Sequence, residues 1–221
     1  MLRRRPLALL LVFALIPLLA ACGEDEPARD AGPSDSLRLS ATPDASMWDE
    51  AGTGDCPIGG GTPAAEFDGT TEATEGIEGV VAFGDPAADH VAGCVDYPVA
   101  PPVGGEHAQV WANCGFYTSA VPEEHAVHAL EHGAVWIAFG TDLDAAAIDT
   151  IRDALRGTTH VLASPYPDLG TRVVLSAWSR QLTLDDVDDP RFAQFLETYV
   201  QGSQTPELGA PCSGALGGPA A

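Results

Sequence analysis

The chain of 221 residues contains no lysine. All ten of its basic residues are arginines, three of them at positions 3–5, and they face 32 acids for a formal charge of −22. Scattered arginines on so acidic a chain exclude a nucleic-acid-binding stripe and a polybasic membrane patch. Methionine is almost missing as well. Beyond Met1 there is only Met47, which excludes a thioether-rich Cu(I) site. No Cys-x-x-Cys pair is present, so a thiolate zinc site lacks its closely spaced ligands. There is no internal repeat. No apolar run reaches the roughly twenty residues that span a bilayer.

The longest apolar run, Leu7 to Leu19, follows Arg3, Arg4 and Arg5 and leads into Leu19-Ala20-Ala21-Cys22. A charged start, a short apolar stretch and small residues make an export signal. The "LAAC" tetrapeptide resembles the bacterial lipoprotein signal. That resemblance implies cleavage before Cys22, a lipid on its sulfur, and a location on the extracytoplasmic side of the cell membrane, with the membrane as partner. Cleavage removes three arginines and no acid, which takes the formal charge to about −25 and leaves no affinity for a nucleic acid.

Residues 1–21 thus read as a leader. Residues 22–62, an acidic, Pro-, Gly- and Ala-rich stretch with few apolar anchors, read as a flexible tether. Residues 63–214 read as one domain, with regular structure beginning near Ile77, and 215–221 as a disordered tail. About 130 well-patterned residues are enough for a single core. With Cys22 assigned to lipid, Cys56, Cys94, Cys114 and Cys212 remain, and outside the cytoplasm an even number reads as two disulfides. Four cysteines allow three connectivities. The one favoured joins Cys114 to Cys212, tying the tail to the body, and Cys56 to Cys94; the other two stay open.

The segment "VPEEHAVHALEHGAVWIAFG" predicts a helix from Pro122 to His132, ended by Gly133, and then a strand from Ala134 to Phe139. A second helix is expected from about Leu143 to Arg156, capped by Thr141 or Asp142, with Ile148, Ile151 and Leu155 on one face. "HVLASPYP" and "TRVVLSAWSRQLTL" read as two strands joined by the turn Pro165 to Gly170. A last helix starts at Asp189-Pro190 and buries Phe192, Phe195 and Leu196. This order predicts a single two-layer α+β domain, a mainly antiparallel sheet with helices packed on one face. Trp111, Trp136 and Trp178 are expected in the core, and His160 as a structural or exposed residue.

At about 100° per residue, His125, His128 and His132 share an arc of roughly 60°, while Ala126, Ala129 and Leu130 point toward a core. His128 and His132, one helical turn apart, can reach one metal ion; His125 cannot easily share it with His132 and reads as a rim residue. Two ligands are too few, and His90 and His107, in Pro- and Gly-rich backbone, offer the remainder. Gly104 and Gly105 would let the chain bend His107 toward the helix. With the cysteines oxidised, such a site suits Cu(II) or Zn(II).

The segments "DHVAGCVDYPVAPPVGGEHAQVWANCGFY", "AVHALEHGAVWIAF", "SPYPDLGTRVVLSAWSRQL" and "ETYVQGSQTPELGAPC" together resemble the bacterial family catalogued as domain of unknown function 3105, from about Ile77 to Cys212. The resemblance implies an extracytoplasmic, often membrane-tethered domain and no assigned activity. His90, His107, Cys114, His128, Glu131, His132 and Cys212 match its pattern; Cys56, Cys94 and His125 lie outside it. The favoured reading is a binding module in which His107, His128, His132 and His90 hold Cu or Zn. One alternative is a structural or protein-interaction domain with a histidine-rich polar core. Another is a zinc hydrolase, because His-x-x-Glu-His is also the inverted zincin motif, with Glu131 as general base. That enzyme reading needs a further carboxylate ligand, for which Glu197 is the candidate.

Overall fold

A computed structural model describes residues 46–59, 61 and 76–219. The leader, Cys22 and most of the expected tether lie outside the described residues. In chain order the elements are α1 (Ser46–Glu50), β1 (Val81–Ala82), β2 (His90–Val91), β3 (His107–Ala108), β4 (Gly115–Phe116), α2 (Glu123–Glu131), β5 (Val135–Phe139), α3 (Ala145–Ala154), β6 (Val161–Pro165), β7 (Val173–Ala177), β8 (Arg180–Leu184) and α4 (Pro190–Tyr199). Six strands form one sheet in the order β1-β8-β7-β5-β6-β4, and β2 pairs with β3 in a separate two-stranded ribbon. Three neighbouring pairs of the large sheet are antiparallel; β5–β6 and β4–β6 are parallel. The fold is therefore the expected α+β domain on a mainly antiparallel sheet.

Alternation along the strands divides the core into two sets, because successive side chains leave opposite faces of a sheet. Val135, Ile137 and Phe139 of β5 pack with Ile151 of α3 and with Phe192, Phe195 and Tyr199 of α4. Trp136 and Ala138 point the other way and pack with Ala126, Val127 and Leu130 of α2. The layering thus differs from expectation: α3 and α4 share one face, whereas α2 covers the opposite one together with the loops around it. A sequence order of helices does not say which face each returns to. Trp136 is fully buried, and its indole N–H donates to Ser164 Oγ at 2.9 Å, so about 1.5–3 kcal/mol of apolar burial is gained without an orphaned donor.

Further corrections concern boundaries. "TRVVLSAWSRQLTL" is a hairpin, β7 and β8, folded at Trp178-Ser179. No Gly, Asn or Pro announces that turn, and Ser179 takes the positive φ of 59° itself, its N–H donating to Val103 O at 2.8 Å. Asp144 caps α3, in place of Thr141 or Asp142, accepting from Ala147 N at 2.9 Å. Asp189 caps α4 as expected, and Leu196 is only partly buried.

Folded structure is present before residue 63. Residues 46–59 belong to the folded body, because Trp48 and Thr53 are buried and Trp48 packs on the His125 ring. The expected tail from residue 215 is likewise held as far as residue 217. Leu216 bridges Ala112, and Asn113 Nδ2 donates to Ala215 O and Gly217 O. A sparse, Gly-rich composition hides such segments, since their partners are loops and not a periodic core face.

Both disulfides carry the favoured pairing, Cys56–Cys94 and Cys114–Cys212. Two structural disulfides belong to an oxidising, extracytoplasmic compartment. Among the described residues no helix is long and apolar enough to cross a membrane.

Candidate metal centre

Every residue of α2, including Glu123, Glu124, His125, His128 and Glu131, is buried. Enclosing a polar helix is costly unless its polar groups find partners. Here the partners come from the loops wrapped around it. Glu123 accepts from Gly59 N at 3.2 Å and from the Tyr166 hydroxyl, and Glu124 accepts from Val95 N at 3.0 Å through Oε1, while its Oε2 is buried without a hydrogen-bond partner. Burial pushes the Glu123 carboxyl up, and the Tyr166 and Gly59 donors oppose that shift. His125 donates Nδ1–H to Val110 O, and its Nε2 accepts from the Thr53 hydroxyl at 2.7 Å. Both its nitrogens are occupied, so His125 is a buried fastening of the loops, not a rim residue.

The other end of the helix is built differently. His128 Nδ1–H donates to Ala108 O at 2.7 Å, and His132 Nδ1–H to Pro211 O at 2.7 Å. From β3, His107 Nδ1–H donates to Gly105 O at 2.8 Å. That short loop is possible because Gly104 and Gly105 adopt φ of 148° and 130°, values open to glycine. Carbonyl oxygens only accept, which places a proton on Nδ1 of each ring and makes Nε2 the nitrogen whose lone pair a neutral ring can offer. This is the arrangement in which metal-binding histidines are commonly held.

Those lone pairs converge. β2 and β3 pair in parallel with His90 opposite His107, and both rings pack on His128, at centroid distances of 4.7 and 4.8 Å. Glu131 Oε2 lies 3.0 Å from His107 Nε2 and 3.8 Å from His90 Nε2. One donor atom from each of His90, His107, His128 and Glu131 falls within 4.8 Å of all the others. Ligands bound at about 2.1 Å to one ion stand no more than about 4.2 Å apart, so a small side-chain adjustment would seat the four together. Their side chains could hold a metal ion. His107, His128 and Glu131 are buried, while the His90 side chain is 44% exposed and forms the mouth. Burial pushes the His128 imidazole down to about 3, against the pull of its Ala108 bond, so the ring is neutral.

The structure divides the four predicted histidines. His132 groups with Glu131 and Glu207, with its Nε2 3.4 Å from Glu207 Oε2 and 3.0 Å from His128 Nε2. Gly133 fixes this end of α2: it adopts φ of 91°, and a Cβ there would lie 2.3 Å from Gln201 Nε2. Trp111 is only half-buried and packs, tilted by 54°, against the His132 ring at 4.7 Å, so it walls the site more than it fills the core. Trp136 and Trp178 are core, as expected. His160 is structural, bonded to Ala210 O at 3.0 Å.

Glu197, which the hydrolase reading needs as a ligand, is exposed on α4, the helix that packs on the far face of the sheet. Glu131 is engaged by His107, where a general base would need to face a water. Sequence reasoning missed Glu207, which sits in "TPELGAPC" far from any histidine and carries no local signal.

No curated protein and no solved structure matches the chain. Residues 90–214, more than half the chain, match the family model described as protein of unknown function DUF3105. That span includes His90, His107, His128, Glu131, His132, Glu207 and the Cys114–Cys212 bridge, and leaves out Cys56; the chain belongs to this family.

Proposed function

We propose that this domain is a binding module for a borderline divalent cation, Zn(II) or Cu(II), held by His90, His107, His128 and Glu131. The observation that carries the reading is the direction of the lone pairs. With Nδ1 of His107 and His128 committed to carbonyls, His107 Nε2 meets the Glu131 carboxylate at 3.0 Å, a contact that needs a proton or a cation between the two atoms. A buried polar core needs donors opposed to acceptors. A proton could relieve one such contact, but a cation uses all four donor atoms at once. Three imidazoles and one carboxylate suit zinc or cupric copper better than calcium or magnesium, which take oxygen. The four cysteines of the folded body are in disulfides and Met47 Sδ is engaged by Gly217 N–H, so sulfur ligation does not compete. The half-exposed His90 leaves a path for the ion, as sensing, storage or delivery requires.

Metal analysis of protein purified without a histidine tag tests this. Wild type is expected to retain or take up zinc after dialysis, and His107→Ala to retain less than a tenth as much. Equal and negligible metal in both would leave the histidines as a structural polar core.

The tether completes the reading. The "LAAC" sequence supports a lipid on Cys22, and a two-chain anchor holds where one chain does not. Cys22→Ala is expected to move the protein from the membrane fraction to the soluble extracytoplasmic fraction. An unchanged distribution would end the lipoprotein proposal without touching the metal site.

A further inference from the structure

We infer a second cation position beside the first, formed by His132 and Glu207 and sharing Glu131. The inference rests on the metal reading above and extends it from one ion to a pair. Glu131, His132 and Glu207 each bring a donor atom within 4.8 Å of the other two, and Glu131 is also a member of the histidine set. A carboxylate has two oxygens and can serve two ions at once, as in sites where paired metals sit about 3.5–4 Å apart.

His132 carries the argument. Its Nδ1–H is given to Pro211 O, so Nε2 is the nitrogen free to ligate, and it faces Nε2 of His128, 3.0 Å away. His128 likewise donates its Nδ1–H to a carbonyl, that of Ala108. Two ring nitrogens at that distance need a proton or a cation beside them, because two bare lone pairs repel. The first site takes up the His128 lone pair with His90, His107 and Glu131, a set that does not include His132. His132 is left with its own outlet, and the group opposite is the Glu207 carboxylate at 3.4 Å.

Glu207 is more than a passing surface acid. Its backbone N–H donates to Glu131 O at 3.0 Å, Gly209 N donates to Gln201 Oε1 at 3.0 Å, and Gln201 Nε2 donates in turn to His132 O. The loop is thereby clamped to the C-terminal end of α2, and the carboxylate is presented over His132. The Trp111 ring covers the other side of that imidazole. Glu207 is itself 53% exposed at the side chain, so the second position opens to solvent through Glu207 as the first does through His90.

Stoichiometry decides it. The folded, oxidised chain is titrated with Zn(II), desalted, and analysed for metal per protein, alongside Glu207→Gln, whose exposed position leaves the fold intact and whose thermal midpoint verifies this. Two equivalents in wild type and one in Glu207→Gln, with the affinity of the remaining ion within about threefold, is the expected result. One equivalent in both proteins, or two in both, overturns the second position while the single-ion reading stands. No zinc in wild type overturns both. Cu(II) provides an independent readout: a coupled pair in wild type loses resonance intensity, and Glu207→Gln restores the signal of an isolated ion.

Discussion

Zinc at a hundredfold excess over its dissociation constant is expected to stabilise the oxidised chain by about 2.7 kcal/mol. For a domain of this size that is a rise in thermal midpoint of roughly 5–10 °C. Magnesium at the same concentration should leave the midpoint unchanged, which separates the centre from loose attraction of cations to an acidic surface. Glu131→Gln should lose most of the zinc increment, since the amide supplies no charge to the ion and faces His107 with a different set of donors. Proton and metal compete for the same nitrogens, so pH adds a second axis. In the metal-free chain, burial holds His125 below its ordinary range and His128 at about 3. The unfolded chain binds more protons than the folded one between those values and 6.5, so stability is fully present above about pH 6.5 and is lost as the pH falls toward 3. The limiting slope is about 1.4 kcal/mol per pH unit for each ring. The zinc increment should shrink over the same window. Melts at pH 7.5, 6 and 5, with and without zinc, check both; superimposable curves in the two metal conditions at pH 7.5 would remove the ion from the account.

The helix at the heart of this centre was legible in sequence because its signals are local. Proline, two acids, a histidine pair four apart and a closing glycine mark α2 to within a residue at each end. His107 was within reach of inference too, since two adjacent glycines announce a bend. What could not be read is which ring joins which set. His128 and His132 lie on one arc of the helix, and spacing alone assigns them to one ion. The division between them is made by carbonyls of Ala108 and Pro211, 20 and 79 residues away in the chain, and no periodicity records such contacts. Glu207 and residues 46–59 were hidden for the same reason. Their roles are contacts between irregular segments, while Trp48, a lone aromatic in an acidic stretch, gives no pattern to extend. The placement of α2 on the opposite face from α3 and α4 is likewise a matter of tertiary return path.

Replacing both Cys114 and Cys212 by serine is expected to cost about 4 kcal/mol of stability. The bridge closes a separation of 98 residues, and the chain-entropy estimate for a loop of that size is about 4.7 kcal/mol, with measured losses commonly 2–5. The Cys56–Cys94 bridge closes 38, and the weak dependence on loop length makes its loss nearly as large, about 4 kcal/mol at most. Where the loss appears is what separates the two. Cys114 N donates to Cys212 O at 2.7 Å, Asn113 N to Leu216 O at 2.7 Å, and Leu216 N to Trp111 O at 3.2 Å, all within a few residues of the bridge. Pro211, whose carbonyl orients His132, immediately precedes Cys212. Cutting this bridge should therefore release the segment that carries Glu207, speed amide exchange at Asn113, Cys114 and Leu216 by a hundredfold or more, and weaken zinc held by His132 before zinc held by His107. Cutting Cys56–Cys94 should spare those three amides and instead expose Val95 and Gly59, whose N–H groups bond Glu124 and Glu123. Hydrogen exchange on the two double-serine variants reads the difference directly. Identical exchange patterns would mean that the loops close around α2 as one unit, and that neither bridge fastens its own end of the helix.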